Sequence, residues 1–453
     1  MSVQLLHYSD LETAIDSHRQ CARLAGEIIA RRDAETVVVG SGDNTAPGAL
    51  SLATEGAAVT EFFRAVEPDA DTFGNHEFDF GSERAAELAG LAPQPWLCAN
   101  ATLDGERFAA EQTRPHRLVD AGETVGLVGV AHPRTDEINP GASDVEFHDP
   151  VPVVREHARQ LRAAGADHVV VVSHCGHTDE RIAAETEVDA VLGGHVHDTY
   201  TDSIDGTVVV RPGRGGRAFA RVRLGDDPAV TVETVGEGHV DEALAGRLRE
   251  LAAVHELDTT VATVAEPIER TGTAATVAES QIGNVVVDAL RWRSGADVAL
   301  SPPGAIRSGP PLQGAVTVAD LVALTPYDDD LQVVELRGNR LREAFVAVPF
   351  GYHDDGHPEE FCSHVSGATV VWDDDAGELV RATVGGDPIE SGESYTVAVP
   401  EYLVQTDHVN DAFGPADVVD TCGIARDAIV ECAREQGLAP SLDHRIRRPQ
   451  LDV

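Results

Sequence analysis

Nine polar side chains stand at five places in the first half of the chain, in a pattern suited to metal-assisted hydrolysis. Asp10 and Glu12 lie in Asp10-Leu11-Glu12. Asp43 lies in Gly40-Ser41-Gly42-Asp43-Asn44. Asn75, His76 and Asp79 lie in Gly74-Asn75-His76-Glu77-Phe78-Asp79. His174 follows Ser173, and His195 and His197 lie in Gly193-Gly194-His195-Val196-His197. Mixed Asp, Asn and His donors suit borderline divalent ions such as Mn, Fe, Co, Ni or Zn better than a thiolate site would. Two such ions ~3.5–4 Å apart need a bridging carboxylate, and that pair is the usual means of hydrolysing phosphoesters. Each piece alone has an ordinary reading. Gly-Asp after a strand is a turn, Asn-His-Glu can cap a helix, and a single His-x-His is weak. Found together at successive strand ends, they point to one site. His7, His18, His132 and His148 are read as surface or loop histidines.

The elements that must position these groups alternate in type. Candidate strands are Val3–Tyr8, Thr36–Gly40, Ala70–Phe73, Pro95–Ala99, Thr124–Val130, His168–Ser173, Asp189–Leu192 and Thr207–Val210. Helical patterns lie between them, at Ala14–Arg32, Gly56–Val66, Ser82–Leu88 and Val153–Ala164, and a strand-rich stretch, Arg217–Thr234, follows. This alternation predicts an α/β layered domain. In such a sheet the strand C-termini converge on one crevice where ligands bind. Residues 1–236 are read as this catalytic domain and 237–260 as a helical linker with a helix-period stretch at Glu242–Leu257. Residues 261–453 form a second, mixed α/β domain, with helices near Gly283–Trp292, Val318–Leu324, Leu341–Ala347 and Asp427–Gln436 and a polar loop at Tyr352–Glu360.

The chain has 453 residues, with 77 Asp+Glu against 34 Lys+Arg, a net charge of −43; every cation is arginine. Such a charge argues against nucleic-acid polymers and anionic membranes as partners. It would strain a fold through self-repulsion at low salt, and at ~1 M salt a Debye length near 3 Å removes most of that repulsion. The expectation is a protein of a salt-filled, halophilic cytoplasm; base composition could explain the missing lysine but not the acid surplus. Six scattered cysteines without a CxxC pair suggest a reduced, intracellular chain. The strand pattern beginning at Val3 leaves no signal-like segment, and no apolar run approaches the ~18 residues of a membrane span. A cytoplasmic monomer or small homo-oligomer is expected.

The ordered set resembles the calcineurin-like metallophosphoesterases and, within them, the two-domain 5′-nucleotidase family. The second half carries the resemblance too: Glu279-Ser280-Gln281-Ile282-Gly283-Asn284, Pro303-Gly304-Ala305-Ile306-Arg307, Thr325-Pro326-Tyr327 and Val365-Ser366-Gly367 are similar to that family's patterns. The resemblance implies a four-layer α/β/β/α sandwich followed by a mixed α/β substrate domain. It implies that Asp10, Glu12, Asp43 and His197 hold one metal, and that Asp43 bridges to a second held by Asn75, His174 and His195. His76 would be the catalytic imidazole, oriented by Asp79. Arg307, Tyr327, Tyr402 and Asp407 would contact substrate, the two tyrosines clasping a base.

Three departures stand out. The family's Asp-x-His is Asp10-Leu11-Glu12 here, and a harder oxygen donor favours Mn; alternatively Glu12 turns away and caps the next helix. Ser301-Pro302-Pro303-Gly304 replaces Asn-Gly-Gly, and Arg270 and Arg307 are the arginines near that loop. Gln405-Thr406-Asp407-His408 replaces a Gly-Gly-Asp-Gly loop. The expected activity is dinuclear-metal-dependent hydrolysis of phosphate monoesters, above all nucleoside 5′-monophosphates. The alternatives are a phosphodiesterase acting on cyclic nucleotides or nucleotide sugars, and a non-catalytic nucleotide-binding regulator.

Overall fold

The structure, a computed structural model, describes residues 3–225, 228–270, 278–302, 305–348, 363–373, 375–406 and 409–448. The loop expected at Tyr352–Glu360 and the candidate Asp407 lie outside these residues. The chain divides into two compact units, Met1–His255 and Glu256–Val453.

The first unit is built on two facing sheets. One places Val3–Tyr8 between its parallel neighbour Thr36–Gly40 and the antiparallel Ala218–Leu224, with Ala229–Thr234 at the edge. The other runs parallel through Thr124–Ala131, His168–His174, Ala190–Gly193 and Thr207–Pro212, with antiparallel edges His116–Asp120 and Thr199–Ile204. Runs such as Val169–Val172 are apolar on both faces, as parallel strands buried on both sides require. One core lies between the sheets, where Leu5, Val37 and Val39 meet Leu127, Val170, Val172 and Leu192. A second lies beneath the larger sheet, where Val154 and Leu161 of the helix Pro150–Ala163 and Ile182 of Thr178–Glu185 pack on Val128, Val169 and Val171. With the helices on the outer faces, this is the four-layer α/β/β/α arrangement. The helix Pro150–Ala163 starts where it should: Pro150 sits in the first turn and the Asp149 side chain accepts the Val151 N–H at 3.1 Å. The stretch expected as a connector holds the helix Glu242–Val254, capped by Asp241, and packs on the helices His18–Arg31 and Thr60–Val66 within this unit.

Some expected elements come out differently. Ala70–Phe73 and Pro95–Ala99 shorten to Asp71–Thr72 and Trp96–Leu97, in a small parallel sheet with Thr113–Arg114. There Phe73, Phe78, Phe108 and Trp96 pack in tilted and edge-on contacts as a buried aromatic cluster. The edge strand Thr199–Ile204 is mostly exposed and polar, so it carried no apolar pattern to read.

The second unit holds a five-stranded sheet in the order His364–Ser366, Val298–Ser301, Ser394–Pro400, Asp330–Arg337, Val418–Ile424. It also holds a four-stranded sheet and a two-stranded ribbon, Thr260–Ile268 with Leu312–Thr317. Its helix Gln281–Ser294 is capped by Ser280 and ends at Gly295, whose left-handed φ of 66° suits glycine. Among the described residues no helix is long and apolar enough to cross a membrane.

Candidate metal centre

Five strand ends of the first unit deliver the chemistry. Asp10 and Glu12 follow Val3–Tyr8, Asp43 follows Thr36–Gly40, and Asn75, His76 and Asp79 follow Asp71–Thr72. His174 ends its strand, and His195 and His197 follow Ala190–Gly193. The loops are drawn tightly together. Asp10 N–H donates to the Gly42 carbonyl at 3.0 Å, Glu12 N–H to the Asp43 carbonyl at 3.2 Å, and His195 N–H to Asp10 Oδ1 at 3.2 Å. Asp10, Glu12, Asp43 and His195 all sit at positive φ, between 45° and 75°. For residues with a Cβ this costs about 1–3 kcal/mol each, strain that clusters at functional sites. Glycine is required where the loops touch: a Cβ on Gly74 would fall 2.2 Å from Asp43 Oδ1, and one on Gly194 2.3 Å from Ser9 Oγ.

The side chains gather into three overlapping groups whose donor atoms lie within 4.8 Å of one another: Asp10–Glu12–His197, Asp43–His174–His195, and Glu12–Asp43–His76. His197 Nε2 is 3.1 Å from Glu12 Oε1, and His174 Nε2 is 3.0 Å from Asp43 Oδ2. Asn75 Oδ1 joins at 2.8 Å from His195 Nδ1. The Glu12 carboxylate is buried and faces His197, although Glu12 opens the short helix Glu12–Ile15. Asp79 lies outside the groups, behind His76, with Oδ1 3.0 Å from His76 Nδ1.

The electrostatics ask for cations. Burial pushes Asp10 up to about 7, against the pull of His174. Burial also opposes charge on Asp43, but His174 and His76 outweigh it and hold that carboxyl below the usual range. His174 is raised despite its burial, chiefly by Asp43, while burial and then His174 hold His195 far below an ordinary imidazole. Buried oxygen and nitrogen donors in two compact sets, with carboxylates the protein alone leaves poorly compensated, fit two divalent ions. Asp43 and Glu12 each belong to two of the groups; Asp43 is the one grouped with the His174–His195 pair as well as with Glu12, which places its carboxylate to be shared.

A surrounding shell fixes this arrangement. Glu77 is buried, and its carboxylate accepts N–H bonds from Asp43 and Asn44, both at 2.8 Å, from Gly74 at 2.6 Å and from Thr45 at 3.2 Å. It thereby clamps two ligand loops together. Ser41 carbonyl accepts from His174 Nδ1 at 2.7 Å, which leaves Nε2 toward Asp43. Asn139 donates to Asp79 Oδ1 at 2.7 Å and to the Asn75 carbonyl at 2.8 Å. His132, read as a surface or loop histidine, lies in a loop and stacks on His195 with centroids 4.9 Å apart and 24° between planes. It directly follows the strand Thr124–Ala131, a strand-end position like that of His174. Asn139 carries no such signal. Glu77→Ala would strand several buried N–H donors at about 1–3 kcal/mol each. It is expected to lower the Tm by about 5–10 °C and to reduce metal content, both measurable by calorimetry and elemental analysis.

The remaining candidates lie in the second unit. The Arg307 guanidinium is over the Tyr327 ring, 5.5 Å from its centroid. Arg270 is buried and braces that loop, donating to the Arg307 carbonyl at 3.1 Å and to the Ala323 carbonyl at 2.7 Å. Tyr402, on the helix Glu401–Gln405, packs against the unit's core. Asp328, from the acidic run after Tyr327, pairs with Arg426 at 2.7 Å.

Comparison with known proteins places both halves of the chain in known families. Residues 4–199 match the calcineurin-like phosphoesterase family, and residues 260–414 match the 5′-nucleotidase C-terminal domain. The chain joins these two domains in the order of the 5′-nucleotidase family. Among solved structures, a 5′-nucleotidase precursor from Thermus thermophilus superposes with a TM-score of 0.81 over 99% of each chain at 22% identity, a likeness of fold. Among curated proteins, the endonuclease YhcR of Bacillus subtilis is 24% identical over 380 residues, 74% of this chain and 30% of that protein. The snake venom 5′-nucleotidase of Crotalus adamanteus is 24% identical over 379 residues, 70% of this chain and 62% of that protein. The chain thus spans under two thirds of the length of these two relatives.

Proposed function

We propose that the protein hydrolyses phosphate monoesters with two divalent ions, and that nucleoside 5′-monophosphates are its substrate class. The observation that carries this reading is the pair of donor groups, Asp10–Glu12–His197 and Asp43–His174–His195, with Asp43 also grouped with Glu12 and His76. Asp10, Glu12, Asp43 and His197 would hold one ion, and Asp43, Asn75, His174 and His195 the other. The predominance of oxygen donors around Glu12 favours Mn. Such ions, when bound, polarise phosphoryl oxygens and lower the pKa of water.

The chain's own residues supply the rest. His76 Nδ1 faces Asp79, which fixes the ring and favours its charged form. Nε2, on the other side of the ring, then serves the substrate, donating to the charge that develops on the phosphoryl group or the leaving oxygen. Arg307 with Tyr327, and Tyr402 with Asp407, are proposed as substrate contacts of the second unit. A base stacked on an aromatic is worth ~1–3 kcal/mol. The net charge of −43 disfavours long polyanions and leaves a small phosphate ester as the fitting substrate.

The test is phosphate release by Mn-loaded protein in high salt from AMP, UMP, cyclic nucleotides, a nucleotide sugar, a sugar phosphate and a generic aryl phosphate. Turnover of the 5′-monophosphates above the rest is expected. Preference for the cyclic nucleotides or the nucleotide sugar would establish the diesterase reading instead, and no Mn-dependent release from any of them would overturn both.

A further inference from the structure

The strand Thr207–Pro212 runs into Gly213-Arg214-Gly215-Gly216, a turn whose three glycines all have positive φ. The turn is tied to the metal centre through its backbone. Gly215 N–H donates to the Asp10 carbonyl at 2.8 Å, and a Cβ on Gly213 would come within 3.3 Å of the His197 carbonyl oxygen. It presents the half-buried Arg214, whose Nη1 lies 3.1 Å from His197 Nδ1. Among the described residues no carboxylate pairs with this guanidinium, although the chain carries 77 acids and even the buried Arg211 two residues before the turn is paired, with Asp179 and Glu180.

Hydrogen-bond accounting gives this contact a consequence. A guanidinium has N–H groups to offer and no lone pair, so Arg214 must use the lone pair of His197 Nδ1. The other ring nitrogen, Nε2, faces Glu12 Oε1 at 3.1 Å and Asp10 Oδ1 at 3.8 Å. A neutral imidazole that gives its Nε2 lone pair to a cation carries its hydrogen on Nδ1. Two donors would then face each other, so cation binding by Asp10–Glu12–His197 and the Arg214–His197 hydrogen bond exclude one another. Asp10, Glu12 and Asp43 also place negative charge where a phosphate must approach. A guanidinium with no carboxylate partner among the described residues offsets it, and its planar fork matches two phosphoryl oxygens.

We infer that Arg214 is an anion-binding residue of this centre: displaced from His197 by a cation, it binds the phosphoryl group of the substrate and the phosphate product. This rests on the metal-assisted reading proposed above. The test compares wild type, Arg214→Ala and Arg214→Lys in high salt, measuring Mn(II) content and affinity and then the calorimetric affinity of the Mn-loaded proteins for inorganic phosphate. Arg214→Ala is expected to keep two Mn(II) per chain with affinity equal to or tighter than wild type. It should bind phosphate about tenfold more weakly, and Arg214→Lys should recover part of that loss. Unchanged phosphate affinity in Arg214→Ala with both ions bound would overturn this inference alone. A tenfold loss of Mn(II) affinity would overturn it in favour of Arg214 as a support for His197. A wild-type protein that takes up no Mn(II) would overturn the metal-assisted reading, and this inference with it.

Discussion

Asp43→Ala is expected to cost the protein both metal ions rather than one. The Asp43 carboxylate groups with His174 and His195 on one side and with Glu12 and His76 on the other. Among the described residues no other links the imidazole pair His174–His195 to the carboxylate of Glu12 in these groups. The same carboxylate holds the surroundings in place. Its Oδ1 accepts the His76 N–H at 2.7 Å, and its Oδ2 lies 3.0 Å from the buried His174 Nε2. Truncation therefore removes the shared donor, strands a buried imidazole nitrogen and frees the loop that carries Asn75. Elemental analysis should fall from two ions per chain to none, and phosphate release should fall about 10⁴-fold or more, since the chemistry two ions supply is worth several kcal/mol. His197→Ala provides the contrast. His197 belongs to one group alone, so that variant should keep one ion. Retention of one ion by Asp43→Ala would show that its carboxylate is not shared.

Most of the centre is legible in the sequence because one geometric rule places it. In a layered α/β sheet the residues just after each strand share a crevice, and Asp10, Asp43, Asn75, His174 and His195 all obey that rule. The same rule covers His132, after Thr124–Ala131, and Arg214, two residues after Thr207–Pro212, yet neither belongs to a pattern of neighbouring donors that would single it out. Glu77 is legible as a residue type but not as a clamp. Its role depends on amide groups of Asp43, Asn44 and Thr45 more than thirty positions away, which only the folded loops bring within reach. Asn139 is hidden for the same reason, sitting in a stretch with no periodic signal. Short elements such as Asp71–Thr72 escape because two residues cannot display a period of two, and Thr199–Ile204 escapes because an exposed edge strand need not be apolar.

His76→Ala is expected to separate chemistry from metal binding. The imidazole is held from behind. Asp79 Oδ1 and Oδ2 lie 3.0 and 3.1 Å from Nδ1, and Asn139 donates to Asp79 Oδ1 at 2.7 Å, so the ring is fixed by a chain of two side chains that belong to none of the donor groups, although Asn139 also donates to the Asn75 carbonyl. Such a ring is built to present Nε2 in one direction. A positioned acid of this kind contributes about 10²–10⁴ in rate. The kcat of His76→Ala should fall by that factor while two Mn(II) ions remain bound, because neither Asp10–Glu12–His197 nor Asp43–His174–His195 includes His76. The rival is the third group, Glu12–Asp43–His76, in which the ring would be a ligand. It makes the opposite forecast, a loss of Mn(II) affinity that tracks the loss of turnover. Asp79→Asn sharpens the choice. It keeps a hydrogen-bond acceptor but removes the charge that favours the imidazolium, so the acid role predicts a smaller fall in kcat, at unchanged metal content, than His76→Ala. A ligand role for His76 predicts that Asp79→Asn weakens metal binding as well, since the carboxylate that raises the donor strength of the ring is gone.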